Sequence, residues 1–405
     1  MTQMKRKGYS RNFKLSRAGE SINNISSSMM LVLFPWIVLS ITNSSFLTGL
    51  EFAMSDLPLS ASFLVGYYLT KLKRKKTIEV GVTAVRALIL LFIFVVFLTG
   101  DKFYELISIF IGYFATSWTE DISSQIGGYW EKEFMDEDQY QSGISLSNFL
   151  NMLVILVSYV MAGLFIAIGI DLAFPLLILG YAVSTILRSF IKPKSEEAQE
   201  EQEEQPHSFK EGISYVWKNK ILRYLMIRNL LTSLAFGGFL VVIEVLVKFR
   251  YAGSPFVLTV LLVGAMIGGV VGSKLGSNVK GNPRKVIGVL TAAYIPMVIF
   301  IPFSPSYIFI IPDSFLLMLT SQIDGVVFST LFFKATPKDY MLQVHGVHNT
   351  FSLFPAVVSS VILGAIIQFI SLDWAFYAIA ILVVGQILVI WKAKEIGDVN
   401  MEEQN

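Results

Sequence analysis

The chain has 405 residues, of which 54% are hydrophobic and 15% charged, with a net charge of +2 and no cysteine. A soluble domain carries about 25% charged residues, and the shortfall here comes from uncharged stretches at 21–50, 139–170, 251–273, 286–312 and 374–391. This composition excludes a soluble enzyme, a nucleic-acid-binding protein and a disordered chain, and the lack of cysteine excludes thiol catalysis and cysteine-ligated metals. Because about 20 apolar helical residues cross a bilayer, the sequence predicts a polytopic membrane protein.

Residues 1–17 form a basic, polar tail, and twelve apolar stretches of transmembrane length follow it. The stretches are 18–42, 45–69, 78–99, 104–130, 142–168, 171–190, 221–247, 254–276, 286–303, 306–332, 342–370 and 373–391. Only helices and closed barrels satisfy every backbone polar group in lipid, and runs this long and apolar exclude alternating barrel strands. The sequence therefore predicts an all-α protein with twelve transmembrane helices.

The longest polar segment, residues 191–220, divides the spans into two groups of six. Its Glu- and Gln-rich part cannot bury a core, so we predict a linker with an acidic run, followed by a short amphipathic helix over 209–220. D-L-A-F at 171–174 and D-W-A-F at 373–376 stand at the start of the sixth and twelfth spans, which indicates a duplicated six-span unit. The predicted units are the N-terminal tail (1–17), the bundles 18–190 and 221–391, the linker 191–220 and the C-terminal tail 392–405.

Basic residues predict the orientation of the spans. They cluster before span one, after span two at 71–76, after span eight at 274–285 and after span twelve at 392–394. Because loops rich in Lys and Arg stay in the cytoplasm, we expect both termini and the linker to be cytoplasmic, with the protein in the plasma membrane. The lipid bilayer and a small-molecule substrate are the expected partners, with protons as a further one. We expect a monomer that needs no cofactor.

Three local sequences resemble the export-type permeases of the major facilitator superfamily, a branch that includes siderophore and macrolide exporters. L-F-P-W-I-V-L-S-I-T-N-S-S-F-L-T-G-L at 33–50 is similar to the branch's first-span signature, and S-F-K-E-G-I-S-Y-V-W-K-N-K-I-L-R at 208–223 to the start of its seventh span. T-P-K-D-Y-M-L-Q-V-H-G-V-H-N-T at 336–350 is similar to the start of its eleventh. The resemblance implies two six-helix bundles and secondary transport by alternating access.

The loop after span two matches the gate motif of that superfamily in part. The superfamily pattern is G-x-x-x-D-R-x-x-R-[RK], and this chain has G-Y-Y-L-T-K-L-K-R-K from Gly66 to Lys75. Gly66 and Arg74 are retained, Lys71 replaces the first arginine, and Thr70 stands where the acid belongs. The resemblance implies a gate role for Gly66, Lys71 and Arg74, although the acid that helps to close the cytoplasmic side in the family is missing.

Ionisable residues inside spans are costly in lipid and face a partner or a water-filled cavity. Glu120 and Asp121 in span four are the strongest candidates for proton coupling or for binding a cationic substrate, and a structural salt bridge is the alternative. Adjacent helical residues point about 100° apart, so we expect only one of the two to face the cavity. In the resembled fold, spans one, four, seven and ten line that cavity. The other predicted contributors to a substrate or proton path are Asn24, Ser27, Arg228 and Asp324.

Other charged residues suggest ion pairs and rim contacts. Asp56 and Arg86, on spans two and three, are predicted to form a structural ion pair or a gate contact. Glu51 and Glu244 lie near the outer ends of their spans, where we expect them to reach water. Arg228 and Asp324 are predicted to pair between helices. His345 and His348 share a helical face, but no further ligand completes a metal site, so we predict none.

The predicted function is secondary active transport, with export of a small amphiphilic, drug- or siderophore-like compound in exchange for protons. Uptake of a sugar or an organic anion is the alternative within transport, because the superfamily also contains importers. A receptor or lipid scramblase of the same fold is a further alternative. An intramembrane enzyme would need a constellation of reactive side chains, which the sequence lacks. The sequence also contains no G-x-x-x-x-G-K-[ST] motif, which would indicate ATP hydrolysis.

Overall fold

The computed structural model describes residues 9–60, 65, 69, 74–135, 140–192, 209–276, 278–337 and 340–399. In these ranges the chain is helical and contains no strand. The helices are α1 Arg11–Thr42, α2 Ser45–Ser60, α3 Lys75–Phe97, α4 Lys102–Phe134, α5 Tyr140–Ile168, α6 Ala173–Ser189, α7 Phe209–Lys218, α8 Lys220–Phe236, α9 Phe239–Arg250, α10 Pro255–Gly276, α11 Pro283–Phe303, α12 Tyr307–Ala335, α13 Met341–Phe369 and α14 Leu372–Lys392. The predicted all-α membrane fold is confirmed.

Ten stretches of the described chain are helical, long and apolar enough to span a membrane. They correspond to predicted spans one, three and five to twelve. The other two predicted spans coincide with α2 and α4. Helix α2 is described over 16 residues, and α4 has 33 residues with charged side chains along its length. The helix order is therefore the one that the sequence predicts for twelve spans.

Predicted span seven is interrupted between α8 and α9, which the sequence did not indicate. Gly237 and Gly238 separate the two helices. The hydroxyl of Ser359 on α13 accepts a hydrogen bond from the Gly238 backbone N–H at 3.1 Å and donates to the Leu234 carbonyl oxygen at 2.8 Å. A serine side chain thus satisfies backbone groups that the interruption frees, as breaks in lipid-embedded helices require.

Helix packing divides the chain into two compact units. The first unit comprises Met1–Leu33 and Ala61–Glu203, and the second comprises Phe34–Ser60 and Glu204–Asn405. The end of α1 and the whole of α2, which the sequence assigns to bundle 18–190, therefore pack with the C-terminal helices. Within the second unit, α2 lies against α13 and α9.

In the first unit, α3 lies between α4 and α6. An aromatic cluster packs nearby, with the rings of Trp130 and Phe134 stacked at 5.1 Å between centroids and Phe13 buried against them. In the second unit, the predicted amphipathic helix is present as α7, which packs against α8 and α13. Its Val216 is buried in an apolar cluster, whereas Trp217 is 40% exposed. Residues 193–208 of the predicted linker lie outside the described residues.

Helices α10 and α12 approach closely in the second unit because glycines face the backbone of α12. A Cβ added at Gly268 would overlap the carbonyl oxygen of Phe315, and one at Gly272 would overlap that of Leu319. Small residues permit this spacing in membrane helices. Gly268 and Gly272, which lie in predicted span eight, thus permit the close packing of α10 and α12.

Gly268→Ala is expected to destabilise the protein by about 1–3 kcal/mol, because the added methyl group forces α10 and α12 apart. Thermal unfolding in a single detergent measures the effect. Gly325→Ala on α12 is the matched control, since nothing lies within 4 Å of a Cβ at that position. Equal midpoints for the two variants would contradict this account of the packing.

Candidate functional site

A buried arginine organises the polar cluster in the first unit. Arg86 on α3 has no exposed side-chain surface, and its Nη1 lies 3.2 Å from Glu120 Oε2. Its Nε donates to Thr119 Oγ1 at 3.0 Å, and its two terminal nitrogens donate to Asn23 Oδ1 and the Thr119 carbonyl oxygen, each at 2.5 Å. The guanidinium also lies 5.6 Å from the centroid of the Tyr181 ring. The cation is therefore held by four different side chains on three helices, α1, α4 and α6.

Glu120 differs from Arg86 in its access to solvent. Its side chain is 30% exposed although it is an ion-pair partner of the fully buried arginine. Ser27 on α1 donates to Glu120 Oε2 at 2.6 Å, and Asn23 donates to Oε1 at 3.4 Å. The Ser27 hydroxyl is also hydrogen-bonded to the Tyr181 hydroxyl at 2.9 Å. A carboxylate that is both paired and open to the surroundings can exchange a proton or a ligand.

The structure brings three predicted site residues of the first unit together. Asn24 lies beside Asn23, which donates to its Oδ1 at 3.1 Å, and Asn24 itself donates to Asn151 Oδ1 at 3.5 Å. Glu120, Ser27 and Asn24 thus belong to one hydrogen-bonded network. Asp121 is 2% exposed and accepts from Gln125 one turn along α4 at 3.2 Å. The two adjacent carboxylates have different partners, as their angular separation on a helix requires.

The second unit contains a second buried ion pair on the helices that the sequence predicts. Arg228 on α8 pairs with Asp324 on α12, with side chains 4% and 8% exposed. Arg228 also donates to Thr291 Oγ1 at 3.3 Å. The predicted pairing between these two residues is confirmed, while their role in a substrate path stays a prediction. One turn along α8, Thr232 donates to Gln386 Oε1 at 3.0 Å.

The residues that the sequence assigned to a gate or to an Asp56–Arg86 ion pair do not form one site among the described residues. The ion-pair partner of Arg86 is Glu120, where the sequence predicted Asp56. Asp56 accepts a hydrogen bond from the neighbouring Ser55 at 3.3 Å and belongs to the second unit. Arg74 is exposed at the start of α3. Gly66 and Lys71 lie outside the described residues.

The expectation that Glu51 and Glu244 reach water is wrong. Both side chains belong to residues with 0% exposure. Glu51 lies on α2 and Glu244 on α9, and these two helices pack against each other. Depth along a span, which is all that the sequence gives, does not reveal which face a helix buries.

Sequence reasoning missed a third buried pair and several uncharged members of the clusters. Glu79 Oε1 lies 2.6 Å from Arg188 Nη1, both side chains are 3% exposed, and Trp130 donates to Glu79 Oε2 at 2.5 Å. Glu79 and Arg188 lie close to span ends, where charges are ordinarily solvated. Tyr181 and Thr291 carry no charge, so only their place in an apolar span could have signalled them.

The His345 and His348 rings stack at 6.1 Å between centroids. The His348 ring also packs 5.2 Å from that of Phe332. These contacts give the histidines a packing role on α13.

The buried charges, the apolar helices and the close glycine packing define a multi-pass helical membrane protein. The chain belongs to the Major Facilitator Superfamily, whose sequence profile matches residues 19–360. Its fold is that of the superfamily's transporters.

Solved structures with the same fold include two of nucleoside transporter NupG and one of a bacterial homologue of the iron transporter ferroportin in an inward-facing state. A NupG mutant matches with a TM-score of 0.74 at 12% identity, over 95% of this chain and 100% of the other. The ferroportin homologue matches with a TM-score of 0.72 at 12% identity, over 96% and 99%. NupG itself matches with a TM-score of 0.68 at 12% identity, over 96% and 100%. No curated protein sequence matches significantly. At this identity the likeness shows the fold alone.

Proposed function

We propose that this protein is a secondary active transporter that works by alternating access and exports a small amphiphilic compound in exchange for protons. The observation that carries the proposal is the Glu120–Arg86 pair, in which a partly exposed carboxylate is held by a fully buried guanidinium. Protonation of Glu120 removes the charge that pairs with Arg86, and a cationic group on a substrate competes for the same carboxylate. Exchange of one for the other is the chemistry of an antiporter.

The direction of transport is proposed from the sequences at 33–50, 208–223 and 336–350, which resemble those of export-type permeases. Basic loops support cytoplasmic termini and insertion in the plasma membrane. The uncharged polar groups around Glu120, namely those of Asn23, Ser27 and Tyr181, suit a substrate that combines one charged group with apolar surface. We further propose that the monomer is the working unit.

Purified protein in liposomes with an imposed pH gradient tests the proposal. We expect addition of a lipophilic cation panel to dissipate the gradient in wild-type vesicles, and Glu120→Gln to reduce this proton movement at least about tenfold, as loss of a required charged interaction would. The glutamine retains an oxygen that can accept the Ser27 hydrogen bond, but its amide does not ionise and so cannot carry a proton through the cycle. Ser60→Ala, an exposed hydroxyl on α2, is the matched control.

The outcome is interpretable only for folded protein, so thermal unfolding of each variant is measured in parallel. Gradient dissipation that is equal in wild-type and Glu120→Gln vesicles would contradict proton coupling at this residue. A panel of sugars and organic anions, supplied from either side, separates export of cations from the alternative of uptake. Lipid movement between leaflets without any solute transport would instead favour the scramblase alternative.

A further inference from the structure

Segment Phe34–Ser60 forms a tight interface with α9 and α13 in the second unit. Gly49 on α2 lies against the backbone of Ser360 and Gly364 on α13, where a Cβ on Gly49 would overlap the Ser360 carbonyl oxygen. The Ser45 backbone N–H donates to Gln368 Oε1 at 3.0 Å. Such direct backbone approach excludes water from the interface.

Two carboxyl groups are buried at this interface. Glu51 on α2 and Glu244 on α9 are each 0% exposed. None of their four carboxyl oxygens has a hydrogen-bond partner among the described residues. The two groups are close enough to interact electrostatically, and Glu51 also interacts with Asp56 one turn and a half along α2. Negative charge at this place would thus be both unsolvated and mutually repelled.

The charged groups on the helices that pack around Glu51 and Glu244 either have other partners or lie at other positions along those helices. Lys248, one turn from Glu244 on α9, lies 5.6 Å from the centroid of the Trp36 ring and donates to Ser40 Oγ at 3.3 Å. Arg250, at the end of α9, pairs with Asp373 of α14. The remaining titratable groups on the helices that contact α2 and α9 are His345 and His348 near the start of α13, Lys274 near the end of α10, and Tyr377 and Lys392 on α14. No cation among the described residues therefore compensates the two glutamates.

We propose that Glu51 and Glu244 form a proton-binding site that controls the interface between segment Phe34–Ser60 and helices α9 and α13. The interface closes when both carboxyl groups carry protons, because a neutral carboxylic acid can be buried whereas an unpaired carboxylate cannot. Deprotonation requires water and hence separation of α2 from α9. The predicted orientation places this interface towards the outer side of the membrane, so external acidity would favour its closure.

This inference is independent of proton exchange at Glu120. It concerns a site in the second unit and a conformational equilibrium, which exists whether or not a substrate moves. A transporter that is not driven by protons would still show this pH-dependent closure of the interface.

Distances between spin labels test the site directly, and the cysteine-free sequence allows labels at chosen positions without background. Phe46→Cys on α2 and Phe369→Cys on α13 replace side chains whose rings lie 6.2 Å apart. We expect a short distance at low pH and an increasing long-distance population as the pH rises. The ratio of the two populations should change by up to about tenfold per pH unit for each proton bound.

Glu51→Gln/Glu244→Gln should keep the short distance at every pH, because the amides are neutral. Asp171→Asn in the same labelled background, which removes an exposed carboxyl group of the first unit, is the control, and there the pH dependence should persist. A wild-type distance that does not change with pH would overturn the proposal, and so would an unchanged pH dependence in the double glutamine variant. Restoration of the short distance at high pH by Ca²⁺ or Mg²⁺ would overturn it in favour of a cation site.

Infrared difference spectra report the protonation state of the carboxyl groups without spin labels, and the wild-type spectrum is compared with that of Glu51→Gln. Between low and high pH we expect loss of the C=O stretch of protonated carboxylic acids, with a smaller loss in Glu51→Gln. Absence of a protonated-carboxyl signal attributable to either glutamate at low pH would also overturn the proposal.

Discussion

Asp324→Leu is expected to destabilise the protein by about 3–5 kcal/mol, because it leaves the Arg228 guanidinium buried without its counterion. The Arg228 side chain is 4% exposed, so water cannot replace the lost carboxylate. Thr291 is the remaining described acceptor for its Nη2, and a hydroxyl does not neutralise a charge. Thermal or denaturant-induced unfolding of the purified protein measures the loss.

The double variant Arg228→Met/Asp324→Leu should recover most of that stability, since replacement of a buried pair by apolar residues of similar volume is often neutral or stabilising. Transport should remain impaired in the double variant if the pair belongs to the substrate path. Wild-type transport in a stable double variant would assign the pair a structural role alone. A double variant that is as unstable as Asp324→Leu would show that the packing around the pair, rather than the charge, limits stability.

The fold was largely predictable because lipid imposes simple requirements on a chain. Long uncharged stretches must be helical to cross a bilayer, and the helices α3, α10 and α14 begin within a few residues of the predicted starts. The break between α8 and α9 was not predictable, because it depends on Ser359 of a distant helix, which satisfies the backbone at Gly238. The packing of α2 with α13 was likewise missed, since it depends on the approach of Gly49 to Ser360 in the folded protein.

The charged residues of the candidate sites and the pairing of Arg228 with Asp324 were predictable from the sequence, whereas the pairing of Arg86 with Glu120 was not. Charge inside an apolar span identified Glu120, Arg228 and Asp324 directly. The predicted partner of Arg86 was wrong. Spans two and three are adjacent in sequence, which favoured Asp56, whereas the arginine side chain contacts Glu120 on α4. Partner choice depends on helix rotation, and the rotation of α3 is set by packing against α4 and α6.

The Glu120–Arg86 pair is expected to respond asymmetrically to removal of its two members. Glu120→Leu should destabilise the protein by about 3–5 kcal/mol, since Arg86 has no exposed side-chain surface and would be left as an unpaired buried charge. Arg86→Met should cost only about 1–3 kcal/mol, the range for lost hydrogen bonds to Asn23 and Thr119. Glu120 is 30% exposed and can remain charged in contact with water.

Unfolding of the wild type, both single variants and Arg86→Met/Glu120→Leu in one detergent provides the complete double-mutant cycle. We expect the double variant to be more stable than Glu120→Leu, because it no longer contains an unpaired buried cation. Equal losses for the two single variants would contradict the difference in burial on which the antiport proposal depends. A larger loss of stability for Arg86→Met than for Glu120→Leu would show that water does not replace the arginine as the partner of the Glu120 carboxylate. That result would argue against Glu120 as a carboxylate that exchanges its partner.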